Sequence, residues 1–268
     1  MNYLHVIVLS IVEGLTEFLP ISSTFHLLQT SRLLATYQTD FLKLFEVVIQ
    51  AGAVSALFFL FSKQVWTDQK RYIKLVVSTI PSLVLGFFLH DYIKEVLFVS
   101  EYATTIVFMS VGVLFFLVEA HIHRPSHIPT KSLAYFTPLQ ALLIGMVQCA
   151  ALVPGVSRSG AVMVGMLMLG YHRTDAAIYA LALSVPTIFA AAGYDLLKYI
   201  KVNGTIDLTV QADMLLLGFI VSFIAAYFAA RWLLKYLQHH TLRFFGAYRL
   251  LVGAVLLLLT YYGYFTSL

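Results

Sequence analysis

The chain has 268 residues, 60% of them hydrophobic and only 11% charged, with a mean hydropathy of +0.86. Soluble domains carry about 25% charged residues, so an ordinary soluble enzyme is excluded. An all-α polytopic membrane protein is expected, since a β-barrel shows weaker, alternating hydrophobicity. The net charge of +4 fits a loop bias toward the cytoplasm rather than a nucleic-acid-binding face. The single cysteine, Cys149, excludes an internal disulfide and a cysteine-rich metal site. The N-terminus shows neither a basic stretch nor a small-residue cleavage site, so its apolar run is expected to be structure rather than a signal peptide.

The first apolar region, roughly 3–36, is interrupted at Pro20. It contains Glu13-Gly14-Leu15-Thr16-Glu17-Phe18-Leu19-Pro20-Ile21-Ser22-Ser23-Thr24-Phe25-His26, two carboxylates, a hydroxyl cluster and an imidazole inside otherwise apolar sequence. Glu13 and Glu17 are four apart, so on a helix they share a face and repel each other. Ionisable groups at such depth mark a functional site. Pro20 breaks the helix beyond Glu17, and the hydroxyls that follow offer an N-cap, the expected role of Ser22 and Thr24. Three spans follow, near 41–62, 72–90 and 102–120. A second apolar region, roughly 138–170, is interrupted at Pro154-Gly155, and three further spans lie near 175–195, 212–234 and 244–265. Each half of the interrupted regions is short for a bilayer, which takes about 20 residues. Non-helical backbone at membrane depth has to be buried in protein or line a cavity. Both regions are therefore expected to be re-entrant helical hairpins beside six full spans.

The two halves answer to each other. Glu13 and Gln148, like Pro20 and Pro154, stand about half the chain apart, and each hairpin precedes three spans. The expectation is one membrane domain over 1–268, made of repeats at about 1–120 and 138–268. Paired, interrupted short segments point to a site at the repeat interface. The loops near 63–74 (Lys63, Lys70, Arg71, Lys74), 121–137 (Arg124, Lys131) and 231–243 (Arg231, Lys235, Arg243) are basic, whereas 90–101 carries Asp91, Glu95 and Glu101 against Lys94. The positive-inside rule puts the basic loops in the cytoplasm. Three spans separate the hairpins, so they enter from opposite faces, the first from outside, and the repeat is inverted. Trp66 and Trp232 are expected as interfacial anchors.

Pro154-Gly155-Val156-Ser157-Arg158-Ser159-Gly160 opens a helix with a Gly/Pro turn. Free N–H groups at Gly155 to Gly160, the positive helix end, Ser157, Ser159 and the Arg158 guanidinium together suit a phosphate. The competing account is a serine-capped turn in which Arg158 neutralises a glutamate. On the first hairpin Ser23 and His26, three apart, share a face and form a candidate nucleophile with its acid/base. The alternative has His26 bonding a main-chain carbonyl. Glu13 and Glu17 are candidate ligands of a divalent cation; positioning the imidazole, pairing with Arg158 and sharing a proton stand as alternatives. Glu46 and Gln50 are candidate supporting partners. No Gly-x-x-x-x-Gly-Lys-Ser/Thr loop occurs, which argues against a nucleotide-driven pump. His121, His123 and His127 lie in a basic loop and are expected to be solvated.

Glu-Gly-Leu-Thr-Glu-Phe-Leu-Pro-Ile-Ser-Ser-Thr at 13–24 and Pro-Gly-Val-Ser-Arg-Ser-Gly at 154–160 resemble the two signature motifs of the undecaprenyl-pyrophosphate phosphatase, or bacitracin-resistance, family. The similarity runs over the whole chain, including Phe45–Ala53 and Tyr248-Arg249. It implies an integral membrane phosphatase that removes the terminal phosphate of the C55 lipid carrier pyrophosphate for cell-wall recycling, dependent on Mg²⁺ or Ca²⁺ and on no organic cofactor. It further implies roles for Glu13, Glu17, Ser22, Ser23, Thr24, His26, Ser157, Arg158 and Ser159. Phe25 replaces a usual glycine, and Ala161-Val162 a usual Ala-Thr. The expected setting is the bacterial inner membrane, with the site open to the outer, periplasmic side. The expected partners are a polyprenyl pyrophosphate and membrane lipids, with no nucleic acid and with a homodimer admitted. A lipid-phosphate transporter or flippase is the rival from another class, since inverted repeats with broken helices also build secondary transporters.

Overall fold

The computed structural model describes residues 1–36, 39–61, 68–92, 101–124, 127–203 and 208–262. Lys63, Trp66, Lys94 and Glu95 lie outside the described residues. The elements in chain order are α1 (Tyr3–Thr16), α2 (Ser23–Leu33), α3 (Asp40–Leu60), α4 (Gln69–Tyr92), α5 (Glu101–Ile122), α6 (Pro138–Gln148), α7 (Arg158–Met168), α8 (Arg173–Asn203), α9 (Leu208–Tyr236) and α10 (Arg243–Tyr261). Short 3₁₀ turns at Leu133–Tyr135 and Cys149–Leu152 precede and follow α6. The helix starts are written locally. Asn2 accepts from His5 N at 2.9 Å to open α1, and Thr39 accepts from Leu42 N at 3.1 Å to open α3. Thr137 and Gln140 form a capping box ahead of Pro138 in α6. Each cap satisfies amides that the first turn leaves free.

Helices α3, α4, α5, α8, α9 and α10 are long and apolar enough to cross a membrane. They carry outward rings and leucines such as Phe59, Phe88, Leu117, Leu216 and Leu251, all well exposed. So much apolar surface is not left facing water, and the protein is a multi-pass, all-α membrane protein. Trp232 is half exposed near the end of α9, where an interfacial ring belongs. Two spans contain interior prolines, Pro81 in α4 and Pro186 in α8. Hydropathy reads straight through both, because proline costs a backbone hydrogen bond without changing the apolar count.

The two interrupted regions fold as helix–break–helix units, α1 packed on α2 and α6 on α7. Helix α1 also packs on α9, and α6 on α4, so the first helix of each unit lies against the second full span of the other half. Both contacts are glycine-mediated. A methyl group at Gly14 would stand 2.5 Å from the Ser222 carbonyl oxygen, and one at Gly145 would stand 2.5 Å from that of Ser78. Only glycine lets backbones approach so closely.

A large buried cluster surrounds the two breaks, including Phe18, Ile21, Phe115, Val162 and Met163. A smaller one, with Leu9, Leu27, Phe45 and Ile49, lies under α2. At the far end of α5, buried Glu119 takes both terminal nitrogens of Arg173 and the Leu242 amide (2.8 Å). One charged group thus joins the starts of α8 and α10, its own charge matched by the guanidinium.

Candidate active site

Helix α1 ends at Thr16, and Glu17 caps it with helical backbone and an N–H bonded to Glu13 O. The chain then turns through Pro20 and restarts as α2 at Ser23. Ser22 stands at the N-cap position with φ 67° and ψ 93° and makes no side-chain cap. The expected capping role of Ser22 is therefore corrected: its backbone lies outside the extended region usual for an N-cap, and its hydroxyl bonds none of the first-turn amides. Thr24 is exposed and bonds no amide either. In the second unit Gly155 adopts φ 95°, where a side chain would also meet Thr104 O at 2.8 Å. Ser157 caps α7 by accepting from Gly160 N at 3.2 Å. The Gly160 amide is thus occupied by the cap.

The two breaks meet. Ser159 donates to Leu19 O at 3.1 Å, and Ser157 and Ser159 lie 3.0 Å apart. Arg249, fully buried on α10, fastens the junction from behind. Its Nε donates to Pro20 O (2.9 Å) and its Nη1 to Gly155 O (2.9 Å) and Phe108 O (3.0 Å). The guanidinium lies 4.7 Å from the Phe108 ring centroid and 5.4 Å from that of Phe115. Hydrogen bonds from a charged donor contribute about 1.5–3 kcal/mol each, and the rings add cation–π attraction. Phe25 is buried and stacks on Phe108 with centroids 4.0 Å apart. Its ring extends this column, and no glycine could supply that packing.

Glu17 is the hub. Its Oε2 accepts from Ser23 Oγ at 2.5 Å, and its Oε1 accepts from Arg158 Nη2. One carboxylate therefore bridges a hydroxyl from the first unit and a guanidinium from the second. The sequence pairs Ser23 with His26; the structure pairs Ser23 with Glu17. Ser23 is the first residue of α2, and side chains on a helix lean toward its N-terminus, which carries this hydroxyl back across the break. His26 instead places Nδ1 2.8 Å from Ser22 O and Nε2 2.8 Å from the Tyr248 hydroxyl. A carbonyl only accepts, so Nδ1 carries a proton, and in the neutral ring Nε2 accepts from Tyr248.

Glu13 is fully buried, and neither of its oxygens receives a hydrogen bond. Its charged neighbours are the carboxylates of Glu17 and Glu46 and, opposing them, Arg158. A buried carboxylate that faces others and receives no hydrogen bond, as Glu13 does, requires a cation or a proton beside it.

A cavity of about 250 Å³ opens over Glu17, Ser22, Ser23, Thr24, Gly155, Ser157 and Arg158. It thus unites residues expected from both motifs. Glu13, His26, Ser159 and Gly160 stand outside its lining. Gln50, Ser82, Gln148 and Thr187 complete its polar wall. Ser82, Thr187, Tyr248 and Arg249 carry no role in the sequence reading. The available signals were an Arg inside an apolar span and a hydroxyl directly after each helix-interior proline, Pro81-Ser82 and Pro186-Thr187.

Residues 6–255 match the family described as bacitracin resistance protein BacA. The chain is 41% identical over 254 residues to an undecaprenyl-diphosphatase of Sulfurihydrogenibium sp., covering 94% of this chain and 97% of the relative. It is 38% identical over 257 residues to that of Wolinella succinogenes (96% and 98% covered). With that of Flavobacterium johnsoniae it shares 38% identity over 263 residues (98% and 97% covered). With both motifs gathered on one cavity and the match running nearly end to end, the chain belongs to the BacA bacitracin-resistance family.

Proposed function

We propose that the protein is an integral membrane phosphatase that hydrolyses undecaprenyl pyrophosphate to the monophosphate and inorganic phosphate. It thereby recycles the cell-wall lipid carrier and confers bacitracin resistance. The observation that carries this reading is the Glu17 carboxylate held between the Ser23 hydroxyl and the Arg158 guanidinium. The headgroup enters the cavity while the polyprenyl chain stays in the bilayer. Arg158 leaves Glu17 to grip the terminal phosphoryl group through its planar fork. Ser23 Oγ then bonds to the terminal phosphorus, the bridging P–O bond breaks, and the lipid monophosphate departs. The hydroxyl proton passes to Glu17, whose oxygen is already in place, and from there to the departing lipid monophosphate, so that Glu17 is again a free carboxylate when water enters. Water cleaves the phosphoserine and returns the site to its start. His26, held by Ser22 O and Tyr248, fixes the turn that presents Ser23.

Glu13 and Glu17 fit a divalent cation, Mg²⁺ or Ca²⁺. Glu13 offers two buried oxygens without donors, and among the described residues no cluster of three or more metal-ligating side chains exists. Two carboxylates plus substrate phosphate oxygens are what a phosphate-bound Mg²⁺ uses. When bound, the cation supplies neutralisation of phosphoryl charge. Positioning and charge stabilisation dominate phosphoryl transfer.

The protein sits in the bacterial inner membrane as an inverted repeat with re-entrant hairpins, the cavity open to the periplasmic side. The reciprocal packing of α1 on α9 and α6 on α4 supports that arrangement. In a Cys149→Ala background, cysteines at Gln69 and Gln238 should label only from the cytoplasm and one at Lys201 only from outside. Labelling of Gln69 and Lys201 from one face ends the inverted model.

The activity is tested by phosphate release from undecaprenyl pyrophosphate by purified protein in detergent, with and without EDTA. Release that stops on chelation and returns with Mg²⁺ or Ca²⁺ is expected. Movement of lipid phosphate between leaflets with no release would instead establish a flippase, for which a hydroxyl bonded to a carboxylate has no use.

A further inference from the structure

Gln148, the last residue of α6, lines the same cavity. Its side chain is 1% exposed. Nε2 donates to Ser82 Oγ at 2.6 Å and to Thr187 Oγ1 at 3.4 Å. Those hydroxyls have spent their own protons: Ser82 donates to Thr79 O at 3.0 Å and Thr187 to Leu183 O at 2.8 Å. Both can therefore only accept from the amide, which settles which end of Gln148 is NH₂ and which is oxygen. The two hydroxyls also sit one residue after the interior prolines of α4 and α8. Two spans from different halves thus converge to hold one amide in one orientation. The consequence falls on Oε1, which is buried and receives no hydrogen bond.

A buried carbonyl left as acceptor costs about 1–3 kcal/mol unless a donor reaches it. Phosphate oxygens are acceptors and repel it, so Oε1 does not bind the headgroup anions. With Arg158 committed to the terminal phosphoryl group, the donor a substrate-filled cavity brings to Oε1 is water. We propose that Gln148 is a water-positioning residue: its Oε1 accepts one hydrogen of the hydrolytic water and turns the water's lone pair toward phosphorus. Glutamine plays this part in other phosphoryl-transfer sites, where an amide orients water without taking its proton. The inference rests on the phosphatase reading and places the second step of that mechanism. The water oxygen bonds to phosphorus, the P–Oγ bond to Ser23 breaks, and the water's other proton passes by way of Glu17 to the departing serine oxygen. Inorganic phosphate leaves, and Gln148 ends unchanged.

The test compares wild type, Gln148→Met and the Ser82→Ala/Thr187→Val double variant on undecaprenyl pyrophosphate in detergent, with thermal unfolding measured beside each. Methionine keeps the length of the side chain and removes the acceptor. Gln148→Met should lower kcat at least about tenfold and KM with it, leaving kcat/KM within about threefold, because only the step after the lipid monophosphate departs is slowed. The double variant leaves the amide in place but free to rotate. It should show a smaller fall in kcat at unchanged kcat/KM, and it carries the test alone if Gln148→Met fails to fold. In a rapid-quench experiment with label in the terminal phosphate, Gln148→Met should hold more label on protein than wild type. Normal kcat, a rise in KM alone, or a rate loss that only follows the melting temperature overturns the proposal. A wild-type protein that releases no phosphate overturns the phosphatase reading beneath it, a different result from an active wild type beside an undiminished Gln148→Met.

Discussion

The α1–α2 and α6–α7 units share a plan, a short apolar helix, a break at proline and a second short helix opened by serine, yet they are finished in opposite ways. In the second, Ser157 closes on its own helix by accepting from Gly160 N, and glycine takes the positive φ at residue 155. In the first, the positive φ falls on Ser22, a residue with a side chain, and its hydroxyl caps nothing. The first unit also carries the carboxylates and the second the guanidinium, so charge balances only when the breaks meet at Glu17 and Arg158. The contrast teaches a division of labour. The second unit satisfies its own backbone and holds a shape, whereas the first leaves hydroxyls unspent and backbone strained, as reactive sites do.

Two substitutions would break that division most sharply. Ser23→Ala removes the hydroxyl that Glu17 accepts and should lower kcat on the order of a thousandfold or more, as loss of a nucleophile does. Expression and substrate binding should stay near normal, and a variant with most of its kcat would remove Ser23 from the attack. Arg158→Lys tests whether the second unit grips phosphate or only neutralises Glu17. A lysine neutralises as well but offers a point charge in place of a fork. A loss of about 10²–10³ in kcat, worth about 3–4 kcal/mol, is expected with unfolding unchanged. A near-normal rate, or a loss that follows stability, would return Arg158 to a structural role.

The six spans and both interruptions were legible because they rest on apolar length and proline, which are local properties. The charge partners were legible only in part. Glu17, Ser23 and Arg158 announce themselves by polarity in apolar sequence, but the Ser23–Glu17 bond depends on where α2 starts, a tertiary result that i, i+3 spacing does not contain. Tyr248 and Arg249 act across the chain, on His26, Pro20 O and Gly155 O. Nothing near residue 249 indicates those carbonyls. Ser82 and Thr187 look like ordinary hydroxyls in a span until the fold brings both to the Gln148 amide.

The packing of the units sharpens the comparison at a smaller scale. Gly14 and Gly145 make matching close approaches, so alanine at each should cost a similar amount, about 1–3 kcal/mol for overpacking against backbone. Thermal unfolding in detergent reads both. Equal falls in melting temperature are expected for Gly14→Ala and Gly145→Ala. A large fall at one site and none at the other would show that the two interfaces only look alike.

The smallest effect separates the two serines at the helix starts, and it should differ in sign. Ser157→Ala removes a hydroxyl that holds the Gly160 amide, so stability should fall by about 1 kcal/mol, the usual worth of an N-cap. Ser22→Gly removes a hydroxyl that caps nothing and relieves a positive φ that costs a residue with a side chain about 1–3 kcal/mol. The backbone oxygen that takes the His26 ring and the His26 amide is kept. Glycine gives back part of that gain through the greater freedom of its unfolded chain, about 0.5–1 kcal/mol. The net should be a rise in stability of at most about 2.5 kcal/mol, while Ser157→Ala falls. Melting temperatures in one detergent, taken side by side, decide it. If both variants lose stability alike, Ser22 is a cap after all, and the two units are finished in the same way.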